Sequence, residues 1–269
     1  GMAIGDGWID PVHMVGGYPD MIYNMGLCDE NEKATIQGYC DRTVGLIKEG
    51  KMLEAFNARP PRVELLAPRA QPAEQETDTL HRPTVADQFL HGDVWPYGNY
   101  FHNISGLNDY DNFMNTTPPA DFDYYAPYLN QPAVRAALHV GNASFPSDPS
   151  TCEKHLLADF MVSLVDELVA MLDSSAPDYK VLVYSGQLDV IIGAALTERF
   201  LPGVAWKGQD AYNKASKAVW RIRPSDAAVA GYARQVGNCS QVIVRPAGHI
   251  LPGAQPDRPP HPTTRFSHG

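Results

Sequence analysis

The chain has 269 residues, and its 21 Lys and Arg against 31 Asp and Glu give a formal net charge of −10. Nucleic-acid binders usually concentrate basic residues on one face, so this charge argues against a nucleic-acid partner. Hydrophobic residues make up 44% of the sequence, enough for a sizeable core. No apolar run approaches the ~18 residues of a membrane-spanning helix, so no membrane span is expected.

The N-terminal part predicts one strand followed by helices. Met2–Ile4 is a short apolar run closed by Gly5-Asp6-Gly7, which is typical of a buried strand that ends in a loop. From Val15 to Phe56 apolar residues recur at helical spacing. The first residues lack the basic region and cleavage site of a signal peptide. An opening directly in a strand leads us to expect that residues precede Gly1.

The stretch Ala58–Asp87 differs in composition from the rest of the chain. It holds five prolines, no aromatic residue other than histidine and no glycine. Such a segment has little to bury, which predicts a disordered or extended insertion. A poorly periodic helix is the alternative, and it is disfavoured because each interior proline costs ~3 kcal/mol.

The middle of the chain predicts irregular structure and then one amphipathic helix. Aromatic residues are dense between Phe89 and Tyr128 but alternate with Asn, Asp, Gly and Pro, so long elements are not expected. Asn130 is the predicted cap of a short helix that has Pro132 in its first turn. Apolar residues at i, i+3 and i+4 spacing predict a helix over Leu157–Leu172.

The C-terminal part predicts an alternation of strands and helices. Lys180–Gly186 is a β-branched, apolar run typical of a strand that is buried on both faces. Helices are expected over Ile191–Phe200 and Ala211–Ile222. A hairpin is expected from the strands Val229–Val236 and Gln241–Arg245. The alternation predicts an α/β fold.

Two residues with catalytic chemistry follow predicted strands. Asp189 comes three residues after Gly186, and His249 comes four residues after Arg245. Ligands of open α/β sheets bind at the carboxyl ends of the strands. An Asp and then a later His form the second half of the nucleophile–Asp–His order of α/β-hydrolases. The alternative is a capping Asp189 and a loop His249 that bonds to a carbonyl.

Longer stretches around these residues resemble the serine carboxypeptidase family. Residues 180–189 (KVLVYSGQLD) are similar to the family's acid-bearing strand, and 242–252 (VIVRPAGHILP) to its histidine loop. Residues 1–11 (GMAIGDGWIDP) resemble the strand and turn that follow the nucleophile region, and Trp206-Lys207-Gly208 matches the vitellogenic carboxypeptidase-like branch. The likeness omits Ala58–Asp87 and the tail after Pro252, and it corresponds to the C-terminal two-thirds of the family's domain.

The resemblance implies a fold, an activity and roles for three residues. It implies an α/β-hydrolase fold, truncated at its N-terminus, with a helical insertion over residues 12–130 above the sheet. It also implies hydrolysis of the C-terminal peptide bond of peptides at acidic pH. Asp189 is then the triad acid, His249 the general base and Ile250 part of the substrate pocket. No cofactor or metal is implied. The expected partners are peptide or protein C-termini, and a homodimer is a further expectation.

The nucleophile of that triad is missing from the sequence. The family's serine lies in a Gly-Glu-Ser-Tyr-Ala-Gly elbow, and no Gly-x-Ser-x-Gly occurs in the 269 residues. A triad without its nucleophile retains little catalysis, so the chain is expected to be inactive alone. Three alternatives stay open: an enzyme whose serine lies upstream, a catalytically dead secretory protein that binds peptides or a partner, and an unrelated module with a nucleophilic aspartate. The motifs favour the first two.

Sequons and cysteines favour the secretory pathway. The glycosylation candidates are Asn103, Asn115, Asn142 and Asn238. The family implies a lysosomal, vacuolar or extracellular location. None of the four cysteines forms a C-x-x-C pair, which gives a zinc site no support, and the disulfide pairing stays open. By the resemblance, Cys152 either bridges to the family's N-terminal part or is a free thiol. The prolines after Pro252 exclude the continuous helix that closes the family's domain.

The strand-end positions of Asp189 and His249 also predict their geometry. The two side chains should lie within hydrogen-bonding reach at one edge of the sheet, facing a cleft roofed by Val15–Phe56. The family's strands beside the nucleophile have no counterpart in the sequence. We therefore expect an open edge of buried-type strand and poor solubility of the chain alone.

Overall fold

A computed structural model describes residues 1–56, 100–145, 155–176 and 178–254 of the chain. The predicted insertion Ala58–Asp87, Cys152 and the tail from residue 255 lie outside the described residues. The strands are β1 (Met2–Gly5), β2 (Val181–Gly186), β3 (Ala218–Trp220), β4 (Gly231–Val236) and β5 (Cys239–Val244). The helices are α1 (Pro11–Met14), α2 (Tyr18–Asn24), α3 (Glu30–Lys48), α4 (Met52–Phe56), α5 (Tyr100–Ser105), α6 (Tyr125–Leu129), α7 (Pro132–Ala137), α8 (Val165–Leu172), α9 (Ala194–Phe200), α10 (Gln209–Lys214) and α11 (Leu251–Ala254).

The five strands form one mixed sheet in the order β1-β2-β5-β4-β3. β1, β2 and β5 are parallel, so their carboxyl ends meet at one edge. β4 and β3 add antiparallel pairs on one side. β2 is buried along nearly its whole length, which explains its continuous apolar sequence. The predicted strands at β1, β2, β4 and β5 are confirmed, and so is the α/β class. The predicted burial of β1 is wrong, because β1 is an edge strand and most of its residues are exposed.

The helix predicted over Ala211–Ile222 is wrong in its second half. The chain is helical only in α10 and then turns into β3, which pairs with β4. Trp220 is buried in a hydrophobic cluster, and in the sheet it pairs with Gly231 of β4. A Cβ on Gly231 would lie 2.0 Å from the carbonyl oxygen of Ile243 and 3.1 Å from the indole ring of Trp220. Strand pairing and burial of Trp220 therefore override the helical spacing.

The helix predicted over Leu157–Leu172 begins eight residues late, with α8 at Val165. Two polar backbone groups before α8 bond to the N-terminal loop. The amide of Leu164 donates to the carbonyl of Ile9 at 2.8 Å, and the indole N–H of Trp8 donates to the carbonyl of Phe160 at 3.0 Å. Those two tertiary hydrogen bonds use groups that a continuous helix would need.

The helical region predicted over Val15–Phe56 is confirmed as the helices α2 to α4. Asp29 begins α3 with a capping box, because its side chain accepts from the Glu32 amide while Glu32 accepts from the Asp29 amide. Ile36 and Cys40 of α3 pack into the main core, together with β2 and with Phe101 of α5. The helical segment therefore packs on the same core as the sheet.

Asn130 does not cap the helix that follows it. It ends α6, and its side chain bonds to the carbonyls of Ala126 and Phe145. Gln131 is the N-cap residue of α7, and Pro132 lies in the first turn as predicted. Asn130 thus ties Phe145 to α6 because its amide reaches both partners.

None of the helices in the described ranges is long and apolar enough to cross a membrane.

Candidate active site

Asp189 lies in the turn after β2 and is fully buried. Its Oδ1 accepts the amide of Ile192 at 2.9 Å, which fixes the carboxyl group from its own loop. A Cβ on Gly186, the last residue of β2, would lie 2.2 Å from the carbonyl oxygen of Gly248. Glycine at this position therefore allows the loop that carries Asp189 (the acid loop) to contact the loop that carries His249 (the histidine loop).

His249 lies in the loop after β5 and is held by the backbone on two sides. Its own amide donates to the carbonyl of Asp111 at 2.7 Å, and the amide of Leu188 donates to the carbonyl of Ala247 at 2.8 Å. A Cβ on Gly248 would lie 2.2 Å from the carbonyl oxygen of Asp111. The loop can approach Asp111 this closely only because residue 248 has no side chain.

The predicted contact between Asp189 and His249 is confirmed. His249 Nδ1 lies 3.0 Å from Asp189 Oδ2. A carboxylate is an acceptor, so Nδ1 carries the proton and Nε2 is left free for other chemistry. The His249 side chain is 27% exposed, whereas that of Asp189 is buried. The pair thus has a buried acid and a histidine that solvent or a substrate can reach.

The net charge around His249 favours its protonated form. Burial lowers the pKa of His249, but the hydrogen bond and charge of Asp189, with two further carboxyl groups nearby, outweigh burial. The pKa is raised above its ordinary value of 6.5 as a result. One of those carboxyl groups belongs to Asp111, whose own pKa is raised to about 6, mainly by burial.

Asp6 is a site residue that the sequence reasoning did not single out. It follows β1, is buried, and accepts the amide of Gly186 on Oδ1 at 3.0 Å. One carboxylate oxygen each of Asp6 and Asp189 and one ring nitrogen of His249 all lie within 4.8 Å of one another. Burial and then the neighbouring Asp189 raise the pKa of Asp6 to about 8. The signal for Asp6 in the sequence was its place directly after a strand.

A loop from Asp109 to Asn115 also belongs to the site and was missed. The carbonyl of Tyr110 accepts the amides of Val190 and Ile191, and the amide of Phe113 donates to the carbonyl of Leu188. With the bond from His249 to Asp111, one loop holds both the acid loop and the histidine loop. Most of its contacts come from the backbone, and backbone groups leave no residue-type signal in the sequence.

The expected roof from Val15–Phe56 is only part of the surroundings. In α2 the hydroxyl of Tyr18 donates to the carbonyl of Ile191, and Met21 packs where a Cβ on Gly193 would lie. Through these contacts, α2 packs against the acid loop and stabilises its position. The contacts to His249 itself come from Asp111 in the missed loop. Ile250 is 41% exposed beside His249, so its side chain is accessible.

The candidate sequons divide into two kinds. Asn103 and Asn142 are exposed. The side-chain nitrogen of Asn115 donates to Asp109, and that of Asn238 donates to the carbonyl of Leu172, both at 2.9 Å. Folding therefore uses the amide group of Asn115 and Asn238 in tertiary hydrogen bonds.

Cysteines in the described part of the chain form no disulfide. The free thiols are those of Cys28, Cys40 and Cys239. Ser185 lies in β2 near the site, but its hydroxyl is buried and lies 3.3 Å from that of Thr197. Ser185 therefore faces Thr197 and is not placed as a nucleophile.

A mixed sheet with an Asp–His pair at the carboxyl ends of its parallel strands defines an α/β-hydrolase fold. The family model described as serine carboxypeptidase matches residues 1–269. The chain therefore belongs to the serine carboxypeptidase family.

Several animal proteins are similar to this chain over its whole length. The chain is 40% identical over 269 residues to a probable serine carboxypeptidase from Homo sapiens, covering all of this chain and 50% of that protein. It is 33% identical to the venom serine carboxypeptidase of Apis mellifera and 28% identical to the vitellogenic carboxypeptidase of Aedes aegypti, with the same coverage of 100% and 50%. The chain thus spans about half the length of these relatives.

One solved structure supports the fold. A prohormone-processing carboxypeptidase from Saccharomyces cerevisiae aligns with 93% of this chain and 50% of its own, with a TM-score of 0.57. The sequence identity is 18%, so this likeness concerns the fold alone.

Proposed function

We propose that this chain carries the acid and the general base of a serine carboxypeptidase, in Asp189 and His249. The observation that supports the proposal is the hydrogen bond of 3.0 Å between them at adjacent strand ends. The chain's membership of the family gives the substrate class: peptides or proteins, from which the C-terminal residue is released. Ile250, exposed beside His249, is proposed to line the pocket for that residue.

The chemistry follows from the free nitrogen of His249. Nε2 takes the proton of an attacking serine hydroxyl and later returns it to the leaving amine. Asp189 keeps the proton on Nδ1, so the imidazole stays in the useful tautomer, and it stabilises the imidazolium that forms in the transition state. The buried position of Asp189 keeps water from weakening this interaction.

The nucleophile has to come from a polypeptide that carries the family's elbow, because the 269 residues contain no Gly-x-Ser-x-Gly. We therefore infer that the chain has no carboxypeptidase activity alone. The secretory pathway is the proposed compartment, supported by exposed sequons at Asn103 and Asn142. The homodimer stays a prediction.

The absent elbow also favours a second candidate function, a catalytically dead protein that binds peptide C-termini or a partner. The two candidates differ in what happens when an elbow is supplied. An enzyme half gains activity that depends on His249, whereas a dead binding protein gains none.

The first test uses the chain alone. We expect no labelling by a fluorophosphonate probe and no release of amino acids from blocked dipeptides between pH 4 and pH 8. Labelling that disappears when a single serine of this chain is changed to alanine would show that the nucleophile has been misplaced.

A further inference from the structure

We propose that Asp6 is a positioning residue of this site. It stays protonated, donates a hydrogen bond to Asp189 and so limits the negative charge that acts on His249. The proposal rests on the proposed function only in naming Asp189 the acid and His249 the base. The cluster of Asp6, Asp189 and His249 is itself a feature of the fold, because one polar side-chain atom of each lies within 4.8 Å of the other two.

The backbone fixes the Asp6 side chain from two directions. The amide of Asp6 donates to the carbonyl of Tyr184 at 2.9 Å, and its Oδ1 accepts the amide of Gly186 at 3.0 Å. Asp6 has φ of 46°, in the left-handed region that Asp tolerates better than most residues. The carboxyl group is therefore held against β2 and cannot turn away to solvent.

The hydrogen bonds show which oxygen of Asp6 is left for a proton. Oδ1 accepts from Gly186, so Oδ2 is the oxygen available to carry the proton. On Asp189, Oδ1 accepts from Ile192 and Oδ2 accepts from His249. Both oxygens of Asp189 are thus acceptors, and a proton shared between the two carboxyl groups belongs on Asp6.

Electrostatics agrees with this placement. Two buried carboxylates in hydrogen-bonding contact cannot easily both be ionised, and one of the pair takes up a proton. The groups that face Asp6 are Asp189, His249 and the phenol of Tyr184, and Asp111 faces His249. Of these, His249 alone could supply a positive charge. The pKa of Asp6 is raised to about 8, first by burial and then by Asp189.

The proton on Asp6 has a consequence for His249. While Asp6 is neutral, the two carboxyl groups carry one negative charge, which belongs to Asp189. Ionisation of Asp6 adds a second charge that favours the imidazolium form of His249, and an imidazolium cannot accept a proton from a nucleophile. A neutral Asp6 therefore keeps more of His249 in the unprotonated form, which can accept a proton.

The test replaces Asp6 with asparagine, which has the same shape, stays neutral and keeps an acceptor for Gly186 and a donor for Asp189. We expect Asp6→Asn to match the wild type in stability at pH 5 and to exceed it at pH 8. The His249 pKa, followed by NMR of the imidazole protons and assigned with His249→Ala, should change by less than about 0.3 unit, because asparagine and a protonated Asp6 carry the same charge.

Matched variants separate this role from a merely structural one. Asp159→Asn removes an exposed carboxyl group and should change neither readout. Asp6→Ala also removes the acceptor for Gly186, so it should destabilise the protein at both pH values. Equal destabilisation by Asp6→Asn at pH 5 and pH 8 would overturn the proposal. So would a fall of about 1 unit or more in the pKa of His249, because it would show that Asp6 is ionised where His249 titrates.

A further measurement uses the wild type and does not depend on whether any variant folds. With carbon-13 in the aspartate side chains, one carboxyl carbon should titrate near pH 8, well above the others. If every aspartate titrates below pH 6.5, Asp6 does not hold the proton and the proposal fails. These readouts do not involve catalysis, so they stand or fall separately from the proposed activity.

Discussion

The closest contacts in the site are made at glycines. Gly186 and Gly248 each lie where a Cβ would come within 2.2 Å of a backbone oxygen of another loop. Backbone atoms cannot move aside as the end of a flexible side chain can. These two positions therefore set the distance between the loops that carry Asp189 and His249.

Gly248→Ala should destabilise the protein by about 1–3 kcal/mol, the usual cost of overpacking a closely packed site. The new methyl group would meet the carbonyl oxygen of Asp111, which also accepts the His249 amide. Urea denaturation measures the change.

Gly45→Ala is the matched control for this substitution. Gly45 lies inside α3, and a Cβ there meets nothing within 4 Å. We expect a gain of about 0.5–1 kcal/mol, because alanine is the better helix former. If Gly248→Ala is as harmless as Gly45→Ala, the loops are not held together as described.

The loop from Asp109 to Asn115 connects the loops that carry Asp189 and His249, and Asp109 gives that connecting loop its shape. Oδ1 of the buried Asp109 accepts the amides of Asp111 and Asn112, and Oδ2 accepts the side-chain amide of Asn115. Asp111 in turn accepts the amide of His249. Asp109 thus acts on His249 through one intervening residue.

Exchanging the two partners tests this connection. Asp109→Asn places an amide nitrogen against the nitrogen of Asn115, and we expect a loss of about 1–3 kcal/mol, as for a buried donor left without a partner. Hydrogen exchange of the His249 amide should become faster.

The second substitution, Asn115→Asp, restores an acceptor opposite the new donor. The double variant Asp109→Asn/Asn115→Asp should therefore regain most of the protection of the His249 amide. If it is as poorly protected as the single variant, the contact between residues 109 and 115 does not position His249.

The elements differ in how far their sequence predicts them. β2 and β5 are recognised from apolar runs that end in glycine or proline, and these ends place Asp189 and His249 correctly. The start of α8 and the strand β3 are not recognised, because tertiary hydrogen bonds and the burial of Trp220 decide them. Local periodicity contains no information about such distant partners.

The residues of the site also differ in how far the sequence predicts them. Side chains with chemical character at strand ends can be found in the sequence, as Asp189 and His249 are. The carbonyls of Tyr110 and Asp111 cannot, since every residue has a carbonyl group. Asp6 could have been found by applying the strand-end argument to β1 as well as to β2 and β5.

The molecule as a whole should be more stable in acid than at neutral or alkaline pH. Three groups of the site, Asp6, Asp111 and His249, have raised pKa values, which are about 8 for Asp6 and about 6 for Asp111. Each therefore holds its proton more tightly in the folded state than in the unfolded chain. Its contribution is fully present below the unfolded-state pKa and is lost as pH rises through the folded-state pKa.

We expect the free energy of unfolding to fall by about 2 kcal/mol or more from pH 5 to pH 8. Urea denaturation at several pH values measures this fall. The double variant Asp6→Asn/Asp111→Asn should lose most of the dependence. A wild type that is more stable at pH 8 than at pH 5 would contradict the description of the site's charges.

The raised pKa of His249 and the family resemblance predict different pH ranges for activity. His249 must be neutral to accept a proton, so its raised pKa moves the rising limb of activity to a higher pH than an ordinary histidine would give. The family resemblance implies activity at acidic pH. A pH profile of a reconstituted enzyme decides between the two.

Co-expression of this chain with a polypeptide that carries the family's nucleophile elbow tests the proposal that Asp189 and His249 are the acid and base of a serine carboxypeptidase. The measurement is the release of C-terminal amino acids from blocked dipeptides. We expect activity from the wild type and from the control Asp159→Asn. We expect a loss of about 10³–10⁴-fold or more in His249→Ala and Asp189→Asn. A folded complex without activity, or one in which His249→Ala is as active as the wild type, would contradict the proposal.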